Sequence, residues 1–120
     1  MQLANRIVPV VGDFAGDRTL RSIGDYVRRY GNTIDVFYTS NVEQYLFMDD
    51  LWRQFYDNVA TLPISQDAIF VRTFFGSLMR QCSNPRAPIR TPVTSSIAEF
   101  LVTHRRGEIE TRCAVAELSR

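Results

Sequence analysis

Three short runs of β-branched and aromatic residues, separated by two stretches of helical apolar spacing, constrain this chain most. Ile7-Val8-Pro9-Val10-Val11 ends at Gly12-Asp13 and reads as a strand entering a turn. Pro9 places it at a sheet edge or strand start, because proline cannot donate to a ladder. Leu20, Ile23, Val27 and Tyr30 then share one helical face, with Asp17 as a candidate cap and Gly31-Asn32 as the stop. Ile34 to Thr39 reads as the second strand. Trp52, Phe55, Val59 and Leu62 form a second helical stripe closed by Pro63, and Ala68 to Phe74 is the third strand. Strand, helix, strand, helix, strand with short links predicts parallel pairing, that is, a partial doubly wound, mostly parallel α/β sheet.

The pattern loosens after Phe75. Residues 1–76 read as the α/β part and 77–93 as a proline-rich loop or arm. Residues 94–120 read as a helical tail packing on the same domain. Ser96-Ile97-Ala98-Glu99 fits a capping box at a helix start, and Gly107 divides the tail into two short helices. A chain of 120 residues with 45% hydrophobic content supports one modest core and excludes a disordered tail and a disulfide-dense miniprotein.

Charge excludes more. All 14 basic residues are arginine, so Schiff-base, phosphate-loop and Ser–Lys chemistries that need lysine are ruled out for this chain. A net charge of +1 predicts no nucleic-acid or anionic-membrane partner. The arginine doublets Arg28-Arg29 and Arg105-Arg106 read as solvated helix faces. No apolar run approaches the ~20 residues that span a bilayer, and Met1 to Arg6 shows no signal-peptide pattern. Cys82 and Cys113 have neither metal-ligand spacing nor the number of a disulfide scaffold, so a reducing cytoplasm is expected.

In open parallel sheets, ligands bind beyond the carboxyl ends of the strands. One such end is Gly12-Asp13-Phe14-Ala15-Gly16, whose amides suit an anion or a ligand's polar edge; the alternative is a tight turn in which Asp13 or Asp17 caps. A second is Arg72-Thr73-Phe74-Phe75, and another runs from Tyr38 to Phe47. There Ser40, Asn41 and Glu43 suit a polar ligand and Tyr38 and Tyr45 a planar one, the alternative being a cap at Ser40 or Asn41 and half-buried tyrosines. The candidate pocket residues are therefore Gly12, Asp13, Gly16, Tyr38, Ser40, Asn41, Glu43 and Tyr45. His104, the only histidine, reads as a surface or helix-end residue, and Trp52 as core. No metal cluster and no catalytic group stand out.

The same residues carry a resemblance. Ile7 to Gly16 followed by Leu20-Arg21-Ser22-Ile23-Gly24, then Phe37 to Phe47, then Ile69 to Phe75, resemble in order and spacing an uncharacterised bacterial family with a methyltransferase-like Rossmann fold. Its members are longer, and the matched part is their C-terminal half. The resemblance implies a C-terminal fragment whose cofactor, S-adenosylmethionine, would be met mainly by the other half. It places Asp13 at the fourth-strand position facing the transferred methyl, with Ser40, Asn41 and Glu43 lining the neighbouring strand end.

Two functions follow as expectations. Completed by its other half, the chain would help transfer a methyl group to an unknown acceptor or bind a small-molecule ligand. Otherwise it is a non-catalytic binding or assembly module, since half a sheet leaves an edge for self-association. A small hydrolase using Cys82 or a serine is a third, lesser reading.

Overall fold

The computed structural model describes residues 7–75, 82 and 90–119. The elements run α1 (Thr19–Arg29), β1 (Ile34–Ser40), α2 (Val42–Met48), α3 (Trp52–Val59), β2 (Ile64–Phe75), β3 (Arg90–Ser96), α4 (Ile97–Arg105) and α5 (Arg112–Glu117). The strands form one sheet in the order β1-β2-β3. β1 and β2 are parallel, joined through α2 and α3, whereas β2 and β3 are antiparallel with Phe70 opposite Ser95 and Arg72 opposite Val93. The sheet is therefore mixed rather than mostly parallel, and only the β1–α2–α3–β2 unit has the expected crossover form.

Several expectations change. Ile7 to Val11 is exposed and irregular rather than a strand, and Val11 is 100% accessible. Its β propensity is not realised because, among the described residues, no strand lies alongside it; isolated strand sequences have no ladder to join. The stripe expected from Trp52 to Leu62 is α3, preceded by a further helix, α2, and the two are separated where Asp50 takes a left-handed φ of 57°. Aspartate tolerates that conformation better than most side chains. Arg18, not Asp17, precedes α1, with no side-chain cap. β3 occupies the end of the segment expected as a proline-rich arm; residues 77–81 and 83–89 of that arm lie outside the described residues.

Other local readings hold. Gly31 and Gly107 have φ of 69° and 73°, left-handed values that end α1 and separate α4 from the tail. Ser96 caps α4 by accepting from the Glu99 amide at 3.3 Å. Trp52 is buried, and both arginine doublets are exposed.

One sheet face is dry. Phe37, Ala68, Phe70 and Val93 project from alternate strand positions toward Phe55 and Tyr56 of α3 and Phe100 of α4. The opposite face carries Val36 and Tyr38, both more than half exposed.

A buried ion pair stands in the middle of the dry face. Arg72 is 0% exposed, and its Nε donates to Glu43 Oε1 at 2.7 Å. Its Nη1 donates to the hydroxyls of Ser95 and, at 3.2 Å, Ser119. The guanidinium lies 4.1 Å from the Phe70 ring centroid and 4.6 Å from that of Phe100. Glu43 also accepts from Thr39 Oγ1 at 2.9 Å and from the Tyr56 hydroxyl. Burial, and then the Glu43 carboxylate, push the Tyr56 phenol well above its ordinary value of 10.0, so it stays a neutral donor.

Cys82 and Cys113, expected as free thiols, form a disulfide with Cα atoms 5.2 Å apart, at a sequence separation of 31. No free cysteine remains for the thiol-hydrolase reading. Spacing could not reveal this pairing, because the two residues meet only through the tertiary fold.

Breaking one side of a buried ion pair leaves the other charge uncompensated, at a cost of about 3–5 kcal/mol. Glu43→Gln should therefore lose about that much in urea unfolding followed by circular dichroism. The double variant Glu43→Leu/Arg72→Met should lose far less than the sum of the two single changes. Strict additivity would show that the pair is not the coupled unit described.

Candidate functional site

The loop before α1 builds its shape from its own sequence. The Ala15 amide donates to Asp13 Oδ1 at 2.9 Å and the Gly16 amide to the Asp13 carbonyl at 3.2 Å, an Asx-type turn. Gly12 is needed by close approach: a Cβ there would lie 2.0 Å from Thr19 Oγ1. Phe14 anchors the loop, with its ring 6.0 Å from Phe55 and 6.5 Å from Phe37.

Asn58 of α3 holds this loop from the other side. Its side chain is buried, and Nδ2 donates to the carbonyls of Gly16 at 2.6 Å and Phe14 at 3.1 Å. Its Oδ1 accepts from Arg21 Nε of α1 at 3.1 Å. One amide thus fixes loop, α1 and α3 together.

The surface between them is a cleft of about 380 Å³, lined by Ala15, Gly16, Asp17, Arg21, Gln54, Asp57 and Asn58. It presents two carboxylates, a guanidinium and amide groups, a set suited to a small polar ligand carrying both charges. At its rim, Asp57 Oδ1 lies 2.9 Å from His104 Nε2. The His104 ring packs edge-on against Trp52 and Tyr56, so the helix-end histidine expected from sequence is mostly buried and occupied as a bridge between α3 and α4. Among the described residues, no group of three histidine, cysteine, aspartate or glutamate side chains could hold a metal ion.

Of the candidate pocket residues, Gly16 lines this cleft, while Gly12 and Asp13 shape the loop behind it. Tyr38 and Tyr45 are exposed, 65% and 55%, rather than half buried. Ser40 ends β1 with a φ of 54°, and Asn41 precedes α2 without a side-chain cap bond. Glu43 follows them in sequence, but its carboxylate faces the core and is fully engaged by Arg72, Thr39 and Tyr56. Sequence reasoning missed Asn58, Arg21 and Asp57. Only Asn58 left a signal: it is a polar residue three positions after Phe55, on the flank of an apolar stripe.

These features define a small α/β domain with a three-stranded mixed sheet and helices packed on one face. The chain belongs to the family of the domain of unknown function DUF7790, which matches residues 1–104. No curated protein matches it.

Replacing Asn58 by the isosteric aspartate would set a carboxylate against two carbonyls. Asn58→Asp should cost about 1–3 kcal/mol through lost and repelled hydrogen bonds. It should also raise amide exchange at Ala15 and Gly16, while exchange in β2 changes only with global stability. Unchanged loop exchange would show that Asn58 does not hold the loop.

Proposed function

We propose that this protein is an assembly module whose sheet is extended at the free edge of β1 by a strand from another chain. The observation that carries this is the state of β1. Among the described residues it pairs only with β2, and its outward side chains Val36 and Tyr38 are 56% and 65% exposed. Natural sheets normally cover, charge or shorten such an edge. Here Asp35 supplies the only charge on a seven-residue strand. The exposed apolar segment Ile7 to Val11 is a strand-forming sequence without a ladder, and so a complementary donor from a second copy. The cytoplasm is the expected setting, and the near-neutral charge favours protein over nucleic acid as the partner.

Size-exclusion chromatography with light scattering tests this on the intact chain. The expected result is a species above monomer mass that grows with concentration and reverts to monomer in Val36→Lys, with cooperative melting retained. A monomer at every concentration up to the hundred-micromolar range would overturn self-assembly.

A second reading draws on the exposure of Tyr38 and Tyr45 beside the Ser40 turn. In that reading the chain is the acceptor side of a methyltransferase-like domain, completed elsewhere, that uses S-adenosylmethionine. This chain's contribution would be aromatic walls from Tyr38 and Tyr45 and polar groups from Asp13, Ser40 and Asn41. Glu43 would support the wall from the core rather than touch a ligand. Calorimetric titration of S-adenosylmethionine into a longer relative carrying both halves is the check. Absence of heat at millimolar ligand sinks it, and that failure leaves the assembly reading standing.

A further inference from the structure

We propose that the Cys82–Cys113 disulfide is a redox latch that holds the C-terminal helix α5 closed over the buried guanidinium of Arg72. The two cysteines are the only ones in the sequence, and both are spent in this one bond. Cys113 lies in α5, a helix of six residues. Isolated helices shorter than about 12–15 residues are marginal in water, so α5 depends on what ties it down.

Its ties can be named. Thr111 caps its start by accepting from the Ala114 amide at 3.2 Å, and Val115 and Ala116 are buried against the core. Just beyond its end, the Ser119 hydroxyl donates to the Val115 carbonyl at 2.9 Å and accepts from Arg72 Nη1 at 3.2 Å. Cys113 and Ala114 pack against the core, the helix contacts α2, and the disulfide adds a covalent tie.

The closed state also carries a defect. Arg72 Nη2 is buried without a hydrogen-bond partner, the only such side-chain atom among the described residues. An unsatisfied donor of a charged group is costly, and lifting the tail would let water reach it. Opening relieves that donor but forfeits the burial of Val115 and Ala116, the packing of Cys113 and Ala114, the contact with α2 and the Ser119 bond. Without the covalent tie, a helix this short is held by those non-covalent contacts alone, against the cost of the unpaired donor. Ser95 still accepts from Nη1, and Glu43, Thr39 and Tyr56 hold the rest of the cluster from α2, β1 and α3, so the ion pair itself survives the release of α5.

The chemistry is ordinary thiol–disulfide exchange. A dithiol attacks one sulfur through its thiolate and forms a mixed disulfide; its second thiol then displaces the other cysteine. Two electrons and two protons pass to the protein, giving Cys82 and Cys113 as thiols, while the reductant leaves as its own cyclic disulfide. In a reducing compartment such bonds are characteristically transient and regulatory.

The test is hydrogen exchange read by mass spectrometry on the full chain, air-oxidised and after dithiothreitol. Reduction is expected to add 2 Da to the intact mass and to speed exchange in the segment 112–119 at least tenfold. Exchange at Phe70 to Arg72 in β2 should stay within a factor of two, and oxidised glutathione should restore protection in the tail. Cys113→Ser should reproduce the open pattern without reductant. If that variant does not fold, the dithiothreitol comparison on the native chain decides alone. Unchanged tail protection after reduction would overturn the latch. So would parallel loss of protection in β2, which would make the bond a staple of the whole fold. Two free thiols in the air-oxidised protein, or a bond that resists millimolar dithiothreitol, would overturn it equally.

Discussion

The fold converges on the contact between Arg72 and Glu43. Taking a guanidinium and a carboxylate out of water costs several kcal/mol per ion, and the attraction between unit charges about 4 Å apart is worth about 4 kcal/mol at an effective dielectric of about 20. Attraction alone does not offset burial. The difference is made up by neutral hydroxyls and rings: Thr39 from β1 and Tyr56 from α3 donate to the carboxylate, Ser95 from β3 and Ser119 beyond α5 accept from the guanidinium, and the faces of Phe70 and Phe100 lie against it. Each partner is useful only where the backbone places it within hydrogen-bonding reach. The pair therefore works as a register device, because a one-residue slip of β2 would turn Arg72 to the bare face and leave Glu43 buried alone.

The same parity explains what the sequence does and does not reveal. Ala68, Phe70 and Arg72 occupy alternate positions, so a reader of strand periodicity sees that Arg72 shares a face with two core residues. Nothing local shows that a carboxylate waits 29 positions earlier in a different element. Glu43 is the reverse case: its neighbours Ser40, Asn41 and Tyr45 are accessible and polar, so residue type alone directs it to a ligand. Its burial follows from its place in the first turn of α2, against the inner face of β1. Helix starts with local chemistry, such as Ser96 before α4, are legible because the partner lies three residues away.

The antiparallel pairing of β3 shows the other limit of pattern reading. Three apolar runs alternating with helices favour a parallel sheet, and the β1–β2 pair obeys that rule. Arg90 to Ser96 holds one valine among polar residues and a proline, a poor strand by composition. It becomes one because β2 is twelve residues long and offers an open edge opposite β1. Val93 fills the dry face and Ser95 reaches Arg72, while Pro92 lies on an edge strand where a missing amide is tolerated. Tertiary demand outweighs propensity here.

The domain is consequently asymmetric in how its surfaces are protected. On the covered face, aromatic packing, a buried ion pair and a disulfide-tethered helix all act to exclude water. On the other face and along β1, Val36 and Tyr38 meet solvent with only Asp35 to discourage pairing. The tether acts on the covered side, through Cys113 and Ser119, and the open edge lies at the far strand of the sheet. The two are connected through the Arg72–Glu43 cluster, which Ser119 joins from beyond α5 and Thr39 joins from β1.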